Sequence, residues 1–206
     1  MKLHWSPRSP FVRKVAILLH ETGLDARVER VRSVAAIAVP NPAIMLDNPL
    51  SQIPTLVLDD GQALYDSPVI CEYLDSLHDG ARFFPPAGAA RWTALRRQAL
   101  ADGMLAILLI WRQERMKTVQ QQLPEWLAAF AVKIGASLAQ LEQEAPALAQ
   151  DGFDIGHVTV GCMLSYLDYR FPDLDWRAAH PALAGWHAGF ARRPSVLATV
   201  PDDAQV

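Results

Sequence analysis

Three short stretches carry residue types and spacings suited to holding an anion. In the first, Ser9-Pro10 follows the run MKLHW and opens a helical stretch, PFVRKVAILLHETG. A serine before a proline at a helix start is a standard N-cap with proline at the first helical position, and capping alone accounts for it. A helix mouth also offers unpaired N–H groups and partial positive charge, to which a hydroxyl adds a further donor for an arriving anion. Both readings stand. Ser9 reads as a donor and not as an attacking nucleophile, because no G-x-S-x-G elbow and no neighbouring base accompany it.

The second stretch, Gln52-Ile53-Pro54, sits between a loop and a strand, where a cis proline turns the backbone of Ile53 outward. The third, Asp66-Ser67, precedes Pro68 and a helix, and so marks a second helix mouth with a carboxylate beside it. Two helix mouths can serve one ligand. Arg8, Arg13 and Lys14 assist the same site or form a solvated face.

These stretches need elements to position them. Residues 1–5 predict a strand, Ser9–His20 a helix closed by Gly23, and RVERV (27–31) a second strand. Pro40 and Pro42 keep any helix in 34–46 short. Residues 55–58 and 62–64 flank Asp59-Asp60-Gly61 as a hairpin, and a helix runs from Asp66-Ser67 to about Leu77. A turn-rich stretch at 79–90 reads as a linker. After it, apolar residues recur at helical spacing over 92–116, 124–141, 155–169 and 181–190 with no strand signal. The expected domains are therefore 1–78, mixed α/β, and 91–206, all helix.

Composition narrows the class. The chain has 206 residues, 51% hydrophobic and 20% charged, with a net charge of −3, as in ordinary globular proteins. No basic field exists to attract nucleic acid. No metal-ligand cluster stands out. The N-terminus lacks the layout of a secretory signal, and no apolar run is long enough to span a bilayer, so a cytoplasmic protein with no membrane partner is expected. Cys71 and Cys162 sit among apolar residues and read as free buried thiols.

Taken in order, the three stretches resemble cytosolic glutathione transferases. Ser9-Pro10-Phe11-Val12 looks like the C-P-x-C segment of thioredoxin and glutaredoxin folds with both cysteines gone, Gln52-Ile53-Pro54 like the cis-proline strand start, and Asp66-Ser67 like the (E/D)-S pair that grips the glutamyl end of glutathione. Asn48-Pro49 ahead and an all-helical second half extend the likeness to nearly the whole chain, and the S-P-F-V-R-K start is similar to a bacterial, serine-type subgroup. The resemblance implies an α/β thioredoxin-like N-terminal domain followed by an all-α C-terminal domain, in a homodimer.

It further implies that glutathione is the co-substrate and that Ser9 donates to its sulfur. Phe11 and Val12 would wall the sulfur from water, Ile53 would pair with the cysteinyl backbone beside Pro54, Gln52 would lie near the glycyl carboxylate, and Asp66 with Ser67 would hold the glutamyl end. The implied activity is conjugation of the glutathione thiolate to a small hydrophobic electrophile, as in detoxification. The alternative is a non-catalytic carrier or binding protein of the same fold. A thiol-disulfide oxidoreductase is disfavoured, since neither position 9 nor 12 is cysteine. Met104, Leu108, Trp111, Arg112 and Arg115 are spaced to line a second-substrate cleft or to form core. Asp102 resembles the acid that some family members extend toward the glutathione amine of the neighbouring subunit; packing is the other reading. One departure is Asp154-Ile155-Gly156-His157, where the family's (S/T)-x-x-D helix start lacks its acid, so a weakened helix start is expected.

Overall fold

Leu3 is fully buried and His4 nearly so, which marks the opening run as a strand covered on both faces. A computed structural model describing residues 1–203 places this strand, β1 (Lys2–Trp5), inside a four-stranded sheet of order β2-β1-β3-β4. β2 (Glu29–Arg32) runs parallel to β1, with Lys2 opposite Glu29 and Trp5 opposite Arg32. β3 (Thr55–Val57) runs antiparallel to β1, and β4 (Ala63–Leu64) antiparallel to β3. The β3–β4 turn closes as its sequence requires. Leu58 N–H donates to Gln62 O at 2.8 Å, Asp60 Oδ1 accepts from Gln62 N, and Gly61 takes φ +88, a region side chains disfavour.

Helix α1 (Pro10–Glu21) is the crossover from β1 to β2 and packs against α3 (Ser67–Asp75); α2 (Pro42–Met45) is one short turn. Arg13 and Lys14 lie inside the buried run of α1, so the solvated-face reading fails for both; Arg13 Nη2 donates to Val196 O at 3.2 Å.

The chain divides into two compact units, Met1–Pro86 with the segment from Arg193 on, and Ala87–Arg192. This corrects both expected boundaries. Residues 79–86 do not stand apart as a linker, because the buried Asp75 carboxylate accepts from the N–H groups of Phe83 (2.8 Å) and Phe84 (3.1 Å), whose rings are buried. Nor does 193–203 belong to the helical unit. Helix α9 (Pro194–Leu197) packs on α1, and Glu21 accepts from Arg193 Nε at 3.0 Å, Arg193 Nη2 at 2.9 Å and Ser195 Oγ at 2.5 Å.

The second unit is helical as expected: α4 (Gly88–Arg115), α5 (Pro124–Gln150), α6 (Ile155–Arg170), α7 (Trp176–Ala179) and α8 (Pro181–Phe190). α4 and α6 make its largest contact, and a Cβ on Gly156 would lie 2.8 Å from Arg97 Cβ and 2.9 Å from Ala94 O, so only glycine permits that crossing. Arg97, 2% exposed, reaches Glu144 at 3.1 Å and Asp151 at 2.8 Å. α5 runs past the expected end at Leu141 and through Pro146, because Ile134, Leu138, Leu141, Ala145 and Leu148 form one buried seam at three- and four-residue spacing. The start of α6 is not weakened. Asp154 Oδ1 accepts from His157 N at 3.1 Å while His157 Nδ1 lies 3.3 Å from Asp154 N, so the imidazole completes the capping box in place of an acid. Cys71 and Cys162 are buried and are not joined in a disulfide.

Burial pushes the Glu21 carboxyl up, but hydrogen bonds from Arg193 and Ser195 outweigh it and hold the group below its ordinary 4.5. A depressed carboxylate contributes stability above its unfolded value and loses it as pH falls through the folded value. Glu21→Gln is therefore expected to lower the melting temperature at pH 7, with the gap to wild type closing below about pH 4; thermal melts across this range check it, and a pH-independent gap contradicts it.

Candidate functional site

Strand register decides where the three stretches meet. His4 near the end of β1 faces Thr55 at the start of β3, and Leu56 faces Leu64 at the end of β4. The chain thus leaves β1 toward Ser9, enters β3 from Ile53-Pro54, and leaves β4 toward Asp66-Ser67 at one end of the sheet. α1 and α3 both begin at that end.

Ser9 is the N-cap of α1, with φ −85 and ψ 121, and its Oγ accepts from Val12 N at 3.3 Å. Capping uses a lone pair of the hydroxyl and leaves its hydrogen. Among the described residues Ser9 Oγ donates to none, so the two readings of this serine are compatible: it caps the helix and retains a proton to give. Val12 is 1% exposed, with its N–H on Ser9, while the Phe11 ring is half-buried with Lys14 Nζ 6.0 Å from its centroid.

The Ile53-Pro54 bond is cis, as expected. Pro54 is buried, Ile53 half-buried and Gln52 exposed. Gln52 O accepts from Thr55 Oγ1 at 2.8 Å and from Asn48 Nδ2 at 3.3 Å. The backbone N–H and C=O of Ile53, which precedes β3, make no hydrogen bond among the described residues, so both main-chain groups are on offer.

At the third stretch the structure departs from expectation. Asp66 stands at the N-cap of α3 but its side chain makes no cap bond and is exposed, so its carboxylate remains with solvent. Ser67 is 1% exposed, and its hydroxyl has no hydrogen-bond partner among the described residues. The oxygen is not sealed from solvent, so the hydroxyl stays open to a ligand at the helix mouth. A cavity of about 170 Å³ also occurs in this unit, lined by Trp5, Ser6, Arg13, Arg30 and Thr199, but Ser9, Pro54 and Ser67 are not in its wall.

The stripe on α4 divides between core and surface. Met104, Leu108 and Trp111 are buried, and Trp111 packs on Phe171 and Phe130 with ring centroids 5.3 and 6.3 Å apart. Arg112 is half-buried; Arg115 donates to Asp173 at 2.8 Å and covers the Phe171 ring at 5.1 Å. Met104, Leu108 and Trp111 thus fill the core of the helical unit, the second of the two readings of this stripe, whereas Arg112 and Arg115 reach its surface. His4, Ser33 and Asp47, by contrast, stand without any motif at the end of the sheet where α1 and α3 begin, next to Asn48 of the Asn48-Pro49 pair. Their one sequence signal is a histidine inside an apolar strand.

Comparison with known proteins agrees with this arrangement. Residues 8–77 match the glutathione S-transferase N-terminal domain model, and residues 124–189 the glutathione S-transferase C-terminal domain model. A crystal structure of a glutathione transferase family member from Pseudomonas fluorescens Pf-5 with bound glutathione is 45% identical, with a TM-score of 0.94 over 98% of both chains. A glutathione S-transferase from Methylobacillus flagellatus KT with glutathione bound is 32% identical, with a TM-score of 0.87 over 98% of this chain and 99% of that one. The uncharacterized GST-like protein YibF of Escherichia coli K12 is 30% identical over 99% of this chain and 100% of its own length. The chain belongs to the glutathione S-transferase family, with its thioredoxin-like N-terminal and helical C-terminal architecture.

The two serines are expected to differ in their effect on stability without ligand. Ser9→Ala removes a cap and costs about 1 kcal/mol. Ser67→Ala removes a hydroxyl with no internal partner and is expected to be neutral or stabilising. Urea denaturation of both variants measures the contrast, and equal losses contradict it.

Proposed function

We propose that this protein is a glutathione transferase that binds glutathione at the common end of the sheet and adds its thiolate to a small hydrophobic electrophile. The observation that carries the reading is the Ser9 hydroxyl, which caps α1 through a lone pair and keeps its hydrogen for a sulfur anion. A free thiol has a pKa near 8.5 and reacts as the thiolate. Lowering it by one to two units, worth about 1.4 kcal/mol per unit, leaves most bound glutathione ionised at neutral pH. A hydroxyl donor and a helix mouth supply effects of this size. The thiol proton passes to solvent, and the sulfur lone pair then forms the bond to the electrophilic carbon, which releases a leaving group such as halide to solvent or, in an activated double bond, passes on its π pair to take up a proton from solvent.

In this reading the cysteinyl backbone of glutathione pairs with the N–H and C=O of Ile53 as an added strand residue. The Ser67 hydroxyl and the α3 mouth take the glutamyl carboxylate, Asp66 takes the glutamyl amine, and Gln52 lies toward the glycyl end. Glutathione bound to relatives 45% and 32% identical over nearly the whole chain supports the ligand.

The decisive measurement is thiolate absorbance of the glutathione complex against pH. Ser9→Ala is expected to raise the apparent pKa of the bound thiol and slow conjugation, with affinity changing less, whereas Ser67→Ala weakens binding several-fold and leaves the pKa in place. Superimposable titrations of wild type and Ser9→Ala make Ser9 a cap only, and binding without turnover across a panel of electrophiles makes the protein a carrier. The reading includes a cytoplasmic homodimer. Sedimentation at micromolar concentration is expected to give twice the 22.8 kDa chain mass, and a species of one chain mass contradicts the dimer.

A further inference from the structure

Lys2 and His4 stand two residues apart on β1 and so share a face of the sheet. Both reach one atom. His4 Nε2 lies 2.7 Å and Lys2 Nζ 2.9 Å from Asp47 Oδ2. A carboxylate only accepts, so Nε2 of His4 carries a hydrogen. The hydrogen bond from His4, then that from Lys2, holds the Asp47 carboxyl below the usual carboxylate range. On the other side of the ring, Nδ1 lies 2.8 Å from Ser33 Oγ, which also contacts Val31 O at 3.1 Å. Ser33 directly follows β2, and Asp47 comes two residues after α2. One imidazole therefore joins both ends of the 34–46 connection, in which Ile44 is buried while Ile37, Val39 and Leu46 are 73%, 67% and 87% exposed. Ile44 and the bond from Asn41 N to Ser51 Oγ at 2.7 Å hold its middle, and the two polar ties hold its ends.

The order Ser33, His4, Asp47 has the outline of a hydrolase relay. Ser33 is 6% exposed and its oxygen is engaged with Val31 O, so no substrate reaches it as a nucleophile. The cluster acts on its neighbours instead. Asn48, next after Asp47 and 1% exposed, donates through Nδ2 to Gln52 O at 3.3 Å and to Thr55 Oγ1 at 3.0 Å, and its Oδ1 accepts from Leu50 N at 3.0 Å. Thr55 Oγ1 in turn donates to Gln52 O at 2.8 Å. Where Asp47 sits thus sets Asn48, and Asn48 sets the residues on both sides of the open Ile53 backbone.

We propose that His4 and Asp47 are positioning residues for glutathione: their contact holds segment 48–55 in the register that lets Ile53 pair with the ligand backbone. The inference rests on the glutathione reading above. A ligand held by main-chain hydrogen bonds is sensitive to tenths of an ångström in the strand that receives it. A tie that served folding alone would leave binding intact once the protein had folded.

The test uses the full chain with Asp47→Ala and the near-isosteric Asp47→Asn. The alanine variant is expected to raise the calorimetric Kd for glutathione about tenfold, a loss the size of one charge-assisted hydrogen bond, and the asparagine variant to recover most of it. KM for glutathione should rise in parallel while kcat with chlorodinitrobenzene at saturating glutathione stays near wild type, because the Ser9 end is untouched. Amide hydrogen exchange should quicken over residues 48–55 and remain unchanged in α1 and in the helical unit. A folded Asp47→Ala protein whose glutathione Kd equals wild type overturns the proposal, as does unchanged exchange over 48–55. No glutathione binding by the wild type overturns the functional reading and the ligand named here, while quickened exchange in the variant still identifies the His4–Asp47 contact as what holds the segment.

Discussion

The pairing of β1 with three partners constrains everything functional in the first unit. Because β2 is parallel and β3 antiparallel to β1, with β4 reversed again, the chain passes the same end of the sheet four times. Those passages carry Ser33, Ser9, Ile53-Pro54 and Asp66-Ser67. A slip of one residue in any pairing would turn each strand's side chains to the other face and shift its flanking residues by about 3.4 Å. Leu3 and Leu56 on one face and Thr55 on the other resist such a slip, since each is fully buried in its own packing environment. The sheet therefore acts as a frame that gives segments distant in sequence a common location.

Helix ends supply partial positive charge at that location. Arg13 and Lys14 are drawn into the packing of α1, and neither is left as a surface cation there. The first turns of α1 and α3 remain, with one hydroxyl each, beside the half-buried Arg8 and the exposed Asp66 carboxylate. The hydroxyls play different parts. Ser9 is satisfied as an acceptor and open as a donor, whereas the Ser67 hydroxyl has no partner among the described residues and keeps access to solvent. An internally satisfied group contributes to stability, and an open one reserves its hydrogen bond for a ligand.

The C-terminal segment and the helical unit show the same economy of polar contacts. Arg193 and Ser195 converge on Glu21 at the far end of α1, and Arg13 meets Val196 nearer its start, so α9 is fixed along the helix that carries Ser9. In the helical unit Arg97 is buried yet bridged to Glu144 and Asp151, a pairing that meets the cost of taking a guanidinium from water. Beside it, Gly156 lets α6 approach α4 closely, and His157 closes the cap one residue later.

Local chemistry in the sequence is enough to locate the ends of elements and the three candidate stretches. Serine before proline at 9 and 67, the Asp-Asp-Gly turn, and apolar periodicity each express a preference of the residues themselves. Three matters lay beyond it because they depend on atoms distant in the chain. The fate of the α4 stripe depended on which helices face it, and Trp111 met Phe130 and Phe171. The allegiance of 193–203 depended on a carboxylate 172 residues earlier in the chain. The contact of His4 with Ser33 and Asp47 joins residues 29 and 43 positions apart, and no spacing rule links them. Sequence alone thus determined where the ends of α1 and α3 and the proline turn occur, since those are set by one to four adjacent residues. Tertiary structure alone decided that they share one end of the sheet and which polar groups stay open there, since burial and hydrogen-bond satisfaction are properties of the packed chain.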